Sequence, residues 1–406
     1  MFFRKKSNEN SGSLSKLSWN RFRKNKIAFS SLVFIAIVAF TATFGYWITP
    51  DKTPMVNEQN LLLSTLKPGS KVNILQVCKN QEIPKRNFLY RLLFGQENKF
   101  TAFPFESYKF RGDSIIITEF SKDSSGLEIA FHLANVCYPL NEKVGISKSG
   151  NLVSFNDLYG NKITLTIDKL RNQVVKNNII DKTFLLGSDR YGRDVLSQLV
   201  IGARVSLSVG FISVAISLLI GIFLGAIAGY FGGKTDALIS WFINVVWAVP
   251  TLLLVIAVTF ALGKGFWQVF VAVGLTMWVE VARVVRGQFM SLREKEFVEA
   301  ARALGYRNFR IIFKHILPNA MAPVIVISAA NFASAILLEA GLSFLGIGVQ
   351  PPMPSWGSMI KENYPYIILD YGYLAILPGI AIMVMVLAFM LIGNGLRDAM
   401  DVRTVD

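Results

Sequence analysis

The sequence predicts an all-α membrane protein with six membrane-crossing helices and a polar domain inserted between the first and the second of them. Hydrophobic residues make up 52% of the 406 residues and charged residues only 17%, which is well away from the composition of soluble domains. A helix needs about 20 mostly apolar residues to cross the hydrocarbon core, and several stretches satisfy this. A long charged stretch separates the first of them from the others.

The first predicted span covers residues 27–49 and follows a basic cytoplasmic tail at residues 1–26. A cleaved signal peptide is the alternative, but its apolar core would be shorter and would end at a small-residue cleavage site. Here the apolar run continues through Tyr46 and Trp47, which are typical of a membrane interface. We therefore expect an uncleaved helix with its aromatic end on the outer side.

Residues 50–200 are predicted to form an extracytoplasmic domain of mixed α/β or β-rich fold. No part of this stretch is apolar over a length that could span a membrane, and charged residues recur every few positions. Short β-rich pieces are separated by Gly, Asn, Asp and Pro, which favour turns. The pieces that we predict as strands are Lys71–Val77, Ser114–Phe120 and Lys162–Ile167.

Residues 201–406 are predicted to hold the other five spans. Each segment is long, and a run free of charge lacks the polar face of an amphipathic helix in a soluble core. Glycine and proline are frequent inside the segments, as in helices that pack closely or kink in lipid. The five segments are Val205–Phe231, Ala237–Leu262, Phe266–Val285, Asn319–Leu345 and Tyr371–Leu396.

The distribution of basic residues predicts that both chain termini lie in the cytoplasm. Basic side chains crowd the N-terminal tail and the loop after the fourth span, whereas the short connections on the other side carry only Lys264 and Lys361. The charges of the long inserted domain do not contradict this, because long domains translocate largely regardless of charge. The net charge of +15 also suggests nucleic acid, but dispersed cations that flank apolar runs are topology signals, so we expect no nucleic-acid partner.

The cytoplasmic loop at residues 287–318 has the strongest functional pattern. Glu294–Leu304 contains strong helix formers, Gly305 supplies a stop, and Tyr306–Ile316 restarts a helix before Pro318. We expect two short helices joined at the glycine. Small side chains would let another protein pack closely against polar residues at the rim, namely Ala300, Ala301 and Ala303 with Glu299, Arg302 and Arg307. An ordinary basic amphipathic loop is the alternative.

The tripeptide Glu299-Ala300-Ala301, with Gly305 and Leu317-Pro318 after it, resembles the EAA loop of ATP-binding-cassette (ABC) importer permeases. This resemblance implies that the loop docks on an ATPase subunit. The residues that would carry this coupling are Glu299, Ala300, Ala301, Arg302, Gly305 and Pro318. Other stretches resemble the second, C-type permease subunit of the dipeptide, oligopeptide and nickel group, namely residues 185–197, 202–207, 339–346, 350–357 and 395–401.

The resemblance implies the six-helix fold of type I ABC importer permeases, the bacterial cytoplasmic (inner) membrane, and transport of peptides or related small solutes. It also implies partners: a homologous second permease subunit, two cytosolic ABC ATPase subunits and an extracytoplasmic solute-binding protein, assembled in the lipid bilayer. The sequence has no GxxxxGK[ST] phosphate loop, so ATP hydrolysis is expected on the partner chains, and we expect neither an enzyme nor a cofactor here. The inserted domain is far longer than the loop of this subunit, so its role does not follow from the resemblance.

Two alternatives come from other functional classes. A self-sufficient secondary transporter should have internal repeats and ionisable residues near the membrane midplane, and neither is clear in the sequence. A membrane-anchored sensor or enzyme would act through the external domain and would need a recognisable chemical site there. No such site is visible in the sequence.

Polar residues near the second and fifth spans are further candidates for contact with the pathway or with a binding protein. Asp189, Arg193 and Asp194 precede the second span, where helix capping and mutual pairing explain them better than a functional contact. Arg204 lies close to the start of that span. Glu339 lies inside an apolar segment, where a carboxylate is costly and is by default a functional hypothesis.

A second carboxylate, Glu280, also lies inside an apolar segment. The predicted segment ends soon after it, so we expect Glu280 near the inner end of the span. Arg283 follows three positions later on the same helix, and an ion pair with it is the favoured explanation.

Both cysteines, Cys78 and Cys137, fall in the inserted domain. Free thiols are the alternative, but two cysteines in one exported domain also fit a disulfide, which requires Cα atoms within about 7 Å. His132 and His315 have no Cys, Asp or Glu cluster at ligand spacing around them, so we predict no metal site.

Overall fold

The structure, a computed structural model, describes residues 14–122, 126–141, 144–263 and 265–400. Residues 1–13 of the predicted tail, Lys264 and residues 401–406 lie outside the described residues. The chain opens with α1 (Leu14–Lys24), α2 (Lys26–Thr43) and α3 (Gly45–Ile48). The side chain of Asn25 accepts a hydrogen bond from the backbone N–H of Ala28 at 3.2 Å and so caps α2, the first predicted span.

The inserted domain contains all three strands that the sequence predicts, with bounds that agree within one residue. It also contains strands that the sequence analysis did not predict. Its elements are β1 (Ser70–Cys78), α4 (Phe88–Phe94), β2 (Phe100–Arg111), β3 (Ser114–Glu119), β4 (Glu128–His132), α5 (Leu133–Cys137), β5 (Ser147–Ser149), β6 (Leu152–Asn156), β7 (Lys162–Thr166), α6 (Ile167–Gln173) and β8 (Ile179–Phe184).

Five of these strands form an antiparallel sheet in the order β4-β3-β2-β1-β8, and β5, β6 and β7 form a second sheet. Asn73 on β1 lies opposite Phe105 on β2 and Asp181 on β8, which sets the register of the larger sheet. The domain has its own apolar core, which is separate from the helical bundle. This core includes Leu75, Ile115, Ile117, Leu133, Val153 and Leu170.

The remaining helices form the apolar bundle. They are α7 (Val195–Phe231), α8 (Gly233–Trp247), α9 (Thr251–Leu262), α10 (Phe266–Leu292), α11 (Glu296–Ala303), α12 (Asn308–Arg310), α13 (Leu317–Leu345), α14 (Trp356–Asn363) and α15 (Tyr373–Met400). Five helices of the described chain are long and apolar enough to cross a membrane. The third predicted span is instead two helices, α8 and α9, which are bent by 91° around Pro250.

Glycines let α7 and α10 pack in direct contact. A Cβ atom at Gly221 would lie 2.5 Å from the Cβ of Val281, and one at Gly229 would lie 2.6 Å from the carbonyl oxygen of Arg286. Because the residue numbers rise together along both helices, α7 and α10 run in the same direction. The chain must therefore cross back between them, and only α8 and α9 connect them. The bent pair is a broken sixth span.

The other long helices alternate in direction. The Ser206 hydroxyl on α7 donates to Glu339 on α13 at 3.2 Å, and the site of Gly210 meets the ring of Phe332, so α13 opposes α7. Phe332 stacks on Phe389 of α15 at 4.2 Å, and Gly393 meets Ala329, so α15 opposes α13. The start of α2, helix α11 and the end of α15 consequently lie at one end of the bundle, and the inserted domain lies at the other.

Candidate functional site

Helix α11 is closed by a glycine in the left-handed conformation. Gly305 has a φ of +75°, as its predicted role as a helix stop requires. Its N–H donates to the carbonyl of Arg302 at 2.9 Å, and the N–H of Tyr306 donates to the carbonyl of Ala301 at 3.1 Å. These two bonds form a Schellman motif, which satisfies the last carbonyls of the helix and turns the chain back toward α13.

The exposed face of α11 differs in one position from the predicted docking surface. Glu299, Ala300 and Arg302 are exposed, but Ala301 is only 3% exposed. Ala301 packs with neighbouring apolar residues into the bundle core, because it lies on the face of α11 that is turned toward the membrane helices. The sequence analysis did not single out Leu304, which is 71% exposed just before the glycine. Its apolar character directly after the small residues was the available signal.

The second half of the loop is not a separate short helix. The chain is helical from Asn308 without a break into α13, so α13 and its lead-in form one span. The prediction that Pro318 follows the end of a helix was therefore wrong. Residues Ile311–Ile316 adopt the wider π-helical pairing directly before Pro318, which has no N–H to donate to the preceding turn.

Polar contacts tie the loop to the bundle. Arg293 donates to the backbone carbonyls of Gly229 and Tyr230 at 3.4 Å, at the end of α7. The Tyr230 hydroxyl donates to the side chain of Asn308 at 2.8 Å, which joins α7 to the base of α13. The guanidinium of Arg302 lies 5.6 Å from the Tyr230 ring. A force applied to α11 would thus reach α7, α10 and α13 together.

A buried charge cluster lies at the opposite end of the bundle, before α7. Asp189 accepts a hydrogen bond from the Arg193 Nε at 2.6 Å, and Arg193 also pairs with Glu362 near the end of α14. Burial alone would lower the pKa of the Arg193 guanidinium, but the carboxylates of Asp189 and Glu362 more than offset this and raise its pKa. Asp194 caps α7 through a 2.8 Å bond from the Ser197 N–H.

These charges are therefore structural. Asp189, Arg193 and Asp194 are between 1% and 6% exposed, and helix capping and mutual pairing, the favoured explanation, account for the contacts that they make here. Arg204 is likewise used internally. It donates to the carbonyls of Ala42 and Thr43 at the end of α2 and to the carbonyl of Leu93 at the end of α4, and so fastens the inserted domain to the first two spans.

Glu339 is fully buried and does not face an open pathway in this structure. Its carboxylate accepts hydrogen bonds from Ser343 at 2.8 Å and from Ser206 at 3.2 Å. Ser355 in turn donates to the Ser343 hydroxyl at 3.4 Å. This network joins α7, α13 and the start of α14, which is how a costly buried carboxylate is accommodated between packed helices.

The predicted ion pair between Glu280 and Arg283 is absent. Arg283 donates to the Asn244 side chain at 3.1 Å and lies 3.7 Å from the ring centroid of Trp247, both on α8. The tertiary packing of α8 against α10 therefore draws the guanidinium away from its neighbour on α10. Glu280 is exposed and lies in the middle part of α10, because this helix continues to Leu292, well beyond the predicted end.

The predicted disulfide is also absent, since Cys78 and Cys137 are free thiols. Burial raises the pKa of Cys78 to about 11. Burial, with a smaller contribution from Cys78, raises the pKa of Cys137 to about 12. The Cys137 thiol donates instead to the carbonyl of Leu170 at 3.8 Å. Within the described ranges, no three His, Cys, Asp or Glu side chains are grouped as metal ligands would be.

Comparisons with known proteins assign the family. Residues 221–406 match the binding-protein-dependent transport system inner membrane component family, and residues 13–68 match the N-terminal TM domain of oligopeptide transport permease C. The chain is 45% identical over 215 residues to the dipeptide transport system permease protein DppC of Alkalihalophilus pseudofirmus, which covers 53% of this chain and 70% of that protein. It is 39% identical over 220 residues to the oligopeptide transport system permease protein OppC of Bacillus subtilis, and this match covers 54% of this chain and 72% of that protein.

Among solved structures, an inward-facing MetNI methionine ABC transporter matches with a TM-score of 0.41 at 20% identity, over 50% of this chain and 96% of that chain. The family assignment rests on the sequence matches. These matches include both the first span and the region from the middle of α7 to the C-terminus. The chain therefore belongs to the family of binding-protein-dependent transport system inner membrane components and is a permease subunit of an ABC importer.

Proposed function

We propose that this chain is the C-type permease half of an ABC importer for peptides, with the type I fold. Its partners in the membrane complex are a homologous second permease, two cytosolic ATPases and an extracytoplasmic solute-binding protein. The observation that carries this proposal is the exposed face of α11, closed by a left-handed Gly305 at the bundle end opposite the inserted domain. The names of the relatives, which are dipeptide and oligopeptide permeases, support a peptide solute.

The mechanism follows from how α11 is held. An ATPase that moves on binding or hydrolysing ATP pushes on the exposed Ala300 and Leu304, while Val298 and Ala301 transmit the displacement to the core beneath. Rigid packing passes it into α7, α10 and α13, because close-packed interiors transmit strain instead of absorbing it. The bundle then shifts between inward-open and outward-open arrangements.

This mechanism requires α11 and both termini to be cytoplasmic and the inserted domain to be outside. Single cysteines at Asn151 and Arg307, in a background with Cys78 and Cys137 replaced by Ser, test the orientation with an impermeant thiol reagent on intact cells. Both positions are exposed in the structure. We expect labelling at residue 151 and protection at residue 307. The opposite pattern would invert the topology and would remove α11 from the reach of a cytosolic ATPase.

Coupling is tested by Ala300→Glu, which places a bulky charge on the exposed face of α11 without altering its buried side. We expect loss of transport and weaker association with the ATPases, because the charge obstructs close packing. The chain should still be present in the membrane. Ala130→Glu is the matched control, since Ala130 is also exposed but lies on β4 in the inserted domain. If Ala300→Glu kept full transport and ATPase binding, α11 would not be the coupling surface.

A further inference from the structure

Glu280 is a carboxylate near the middle of a membrane span. At 1.5 Å rise per residue, it lies about 21 Å along α10 from Phe266 and about 18 Å from Leu292. Within the described part of the chain, it has no hydrogen bond and no ion pair, and Arg283 is held by α8. Ionisable residues at this depth almost always face a bundle interior or a water-filled space and mark a substrate or ion path.

The carboxylate faces a cavity of about 290 Å³, formed where the sixth span is broken. The break between α8 and α9 forms one wall, and α10 and α13 form the others. Its lining includes Trp247, Val249, Thr251, Thr276 and Ser334. Broken helices near the midplane are a recurrent way in which transporters build solute sites, because irregular backbone is tolerated in a membrane only beside a cavity or inside protein.

The chemistry of the cavity favours a cation-bearing solute. Among the described residues, the carboxylate is the one charged group that lines the cavity, and the Ser334 hydroxyl has no hydrogen-bond partner. The Thr276 hydroxyl donates to the Val273 carbonyl at 2.8 Å, so its oxygen is left free to accept a further hydrogen bond. A carboxylate and two hydroxyl oxygens are acceptors suited to an ammonium group, which has three N–H donors.

We propose that Glu280 binds the ammonium group of the transported solute as it passes through the membrane, with Thr276 and Ser334 as additional acceptors. This inference rests on the proposed function and names the chemistry of one end of the solute. The attraction between the two charges offsets the cost of moving an ammonium group into the membrane. Because the site is open on one side, the solute can leave it, as transport requires. A solute without a cationic group gains nothing from this carboxylate.

The test uses the complete transporter, with its second permease, ATPases and binding protein, reconstituted in liposomes. The probe is trialanine with a free N-terminal ammonium, and N-acetyltrialanine is the paired probe without it. Glu280→Gln removes the charge at nearly constant size, Glu280→Asp retains it, and Glu97→Gln neutralises an exposed carboxylate of the inserted domain as a control. ATP-driven uptake, ATPase rate and assembly of the complex are measured for each variant.

For Glu280→Gln, we expect uptake of trialanine to fall about tenfold or more, as for loss of a hydrogen bond to a charged group. Uptake of N-acetyltrialanine, at whatever level the wild type has, should change less than about twofold, since this probe lacks the bonding partner. Glu280→Asp should retain most uptake, and assembly should be unchanged. The proposal would be overturned if Glu280→Gln reduced uptake of both probes equally or left uptake of trialanine unchanged. It would also be overturned if the complex no longer assembled, because Glu280 would then be a subunit-interface group. If the wild-type complex transported no peptide at all, the proposed function itself would fail.

Discussion

Replacing Gly305 with Ala tests whether the left-handed closure of α11 is needed to hold the coupling surface. Gly305 has a φ of +75°, and a Cβ atom there would meet no other atom within 4 Å. The cost is therefore backbone strain alone, about 1–2 kcal/mol for an L-residue in the left-handed region. This corresponds to a factor of roughly 5–30 in the equilibrium between the closed and the frayed end of the helix.

Hydrogen exchange of the purified chain in lipid nanodiscs measures this directly. Peptides that cover α11 should exchange about 5–30 times faster in Gly305→Ala, because the Schellman bonds at Gly305 and Tyr306 open more often. Gly287→Ala is the matched control. Gly287 lies in the interior of α10 and also has no atom within 4 Å of the added Cβ, so Ala there should stabilise the helix by about 0.5–1 kcal/mol.

The two substitutions add the same methyl group to equally open space and differ only in backbone conformation. Opposite effects on exchange would support the strain argument. Unchanged exchange across α11 in Gly305→Ala would refute it, since the helix end would then be held by contacts other than the glycine turn.

Three further predictions concern stability and reactivity. Arg193→Met leaves the buried carboxylate of Asp189 and the half-buried carboxylate of Glu362 without their ion-pair partner, and it should cost about 3–5 kcal/mol in the free energy of unfolding. Lys109→Met, in an exposed ion pair, should cost less than about 1 kcal/mol, and thermal unfolding compares the two variants. At pH 8, iodoacetamide should modify Cys78 about a hundredfold more slowly in the folded protein than after unfolding, because burial raises its pKa from 9.0 to about 11 and the thiolate is the nucleophile. Cys137, with a pKa of about 12, should be slower still, and both rates should rise with pH. Gly225→Val should prevent stable folding, since a Cβ atom at this position would lie 2.6 Å from the carbonyl oxygen of Ala282, and recovery of folded protein after detergent extraction measures this.

Each of these predictions has an outcome that contradicts it. Similar losses from Arg193→Met and Lys109→Met would mean that burial does not amplify the charge cluster. Alkylation of the folded thiols as fast as in the unfolded chain would mean that they are open to solvent. Normal yield of Gly225→Val would show that α7 and α10 are farther apart than the packing described above.

The apolar runs predicted the spans well, because each run must satisfy its own backbone in lipid and this requirement is local in sequence. Their ends were less predictable. Helix α7 begins at Val195, ten positions before the predicted start, because Asp194 caps it and its first turns are buried against protein. The break around Pro250 was hidden inside one apolar segment, since hydropathy does not record a change of direction.

The candidate site, like the membrane spans, was predicted only in part from the sequence. The glycine stop at residue 305 was predicted from local chemistry and is present with the required positive φ. The burial of Ala301 was not, because an alanine gives no sign of which side of its helix faces the core. For Glu280, the neighbouring Arg283 made an ion pair the natural expectation. The structure instead pairs that arginine with Asn244, a residue of a different helix.

The sequence by itself determined the membrane location, the number of apolar segments, the inserted domain and the family resemblance of the α11 loop. These depend on composition, on hydrophobic run length and on residue types at short spacing, all of which can be read along the chain. Only the tertiary structure decided which polar groups are used internally and which remain available. Arg193 and Glu339 are bonded to partners from distant segments, whereas Glu280 has no such partner in the part of the chain that the structure describes. Such pairing depends on which helices meet, and side chains far apart in sequence come together only when the helices pack.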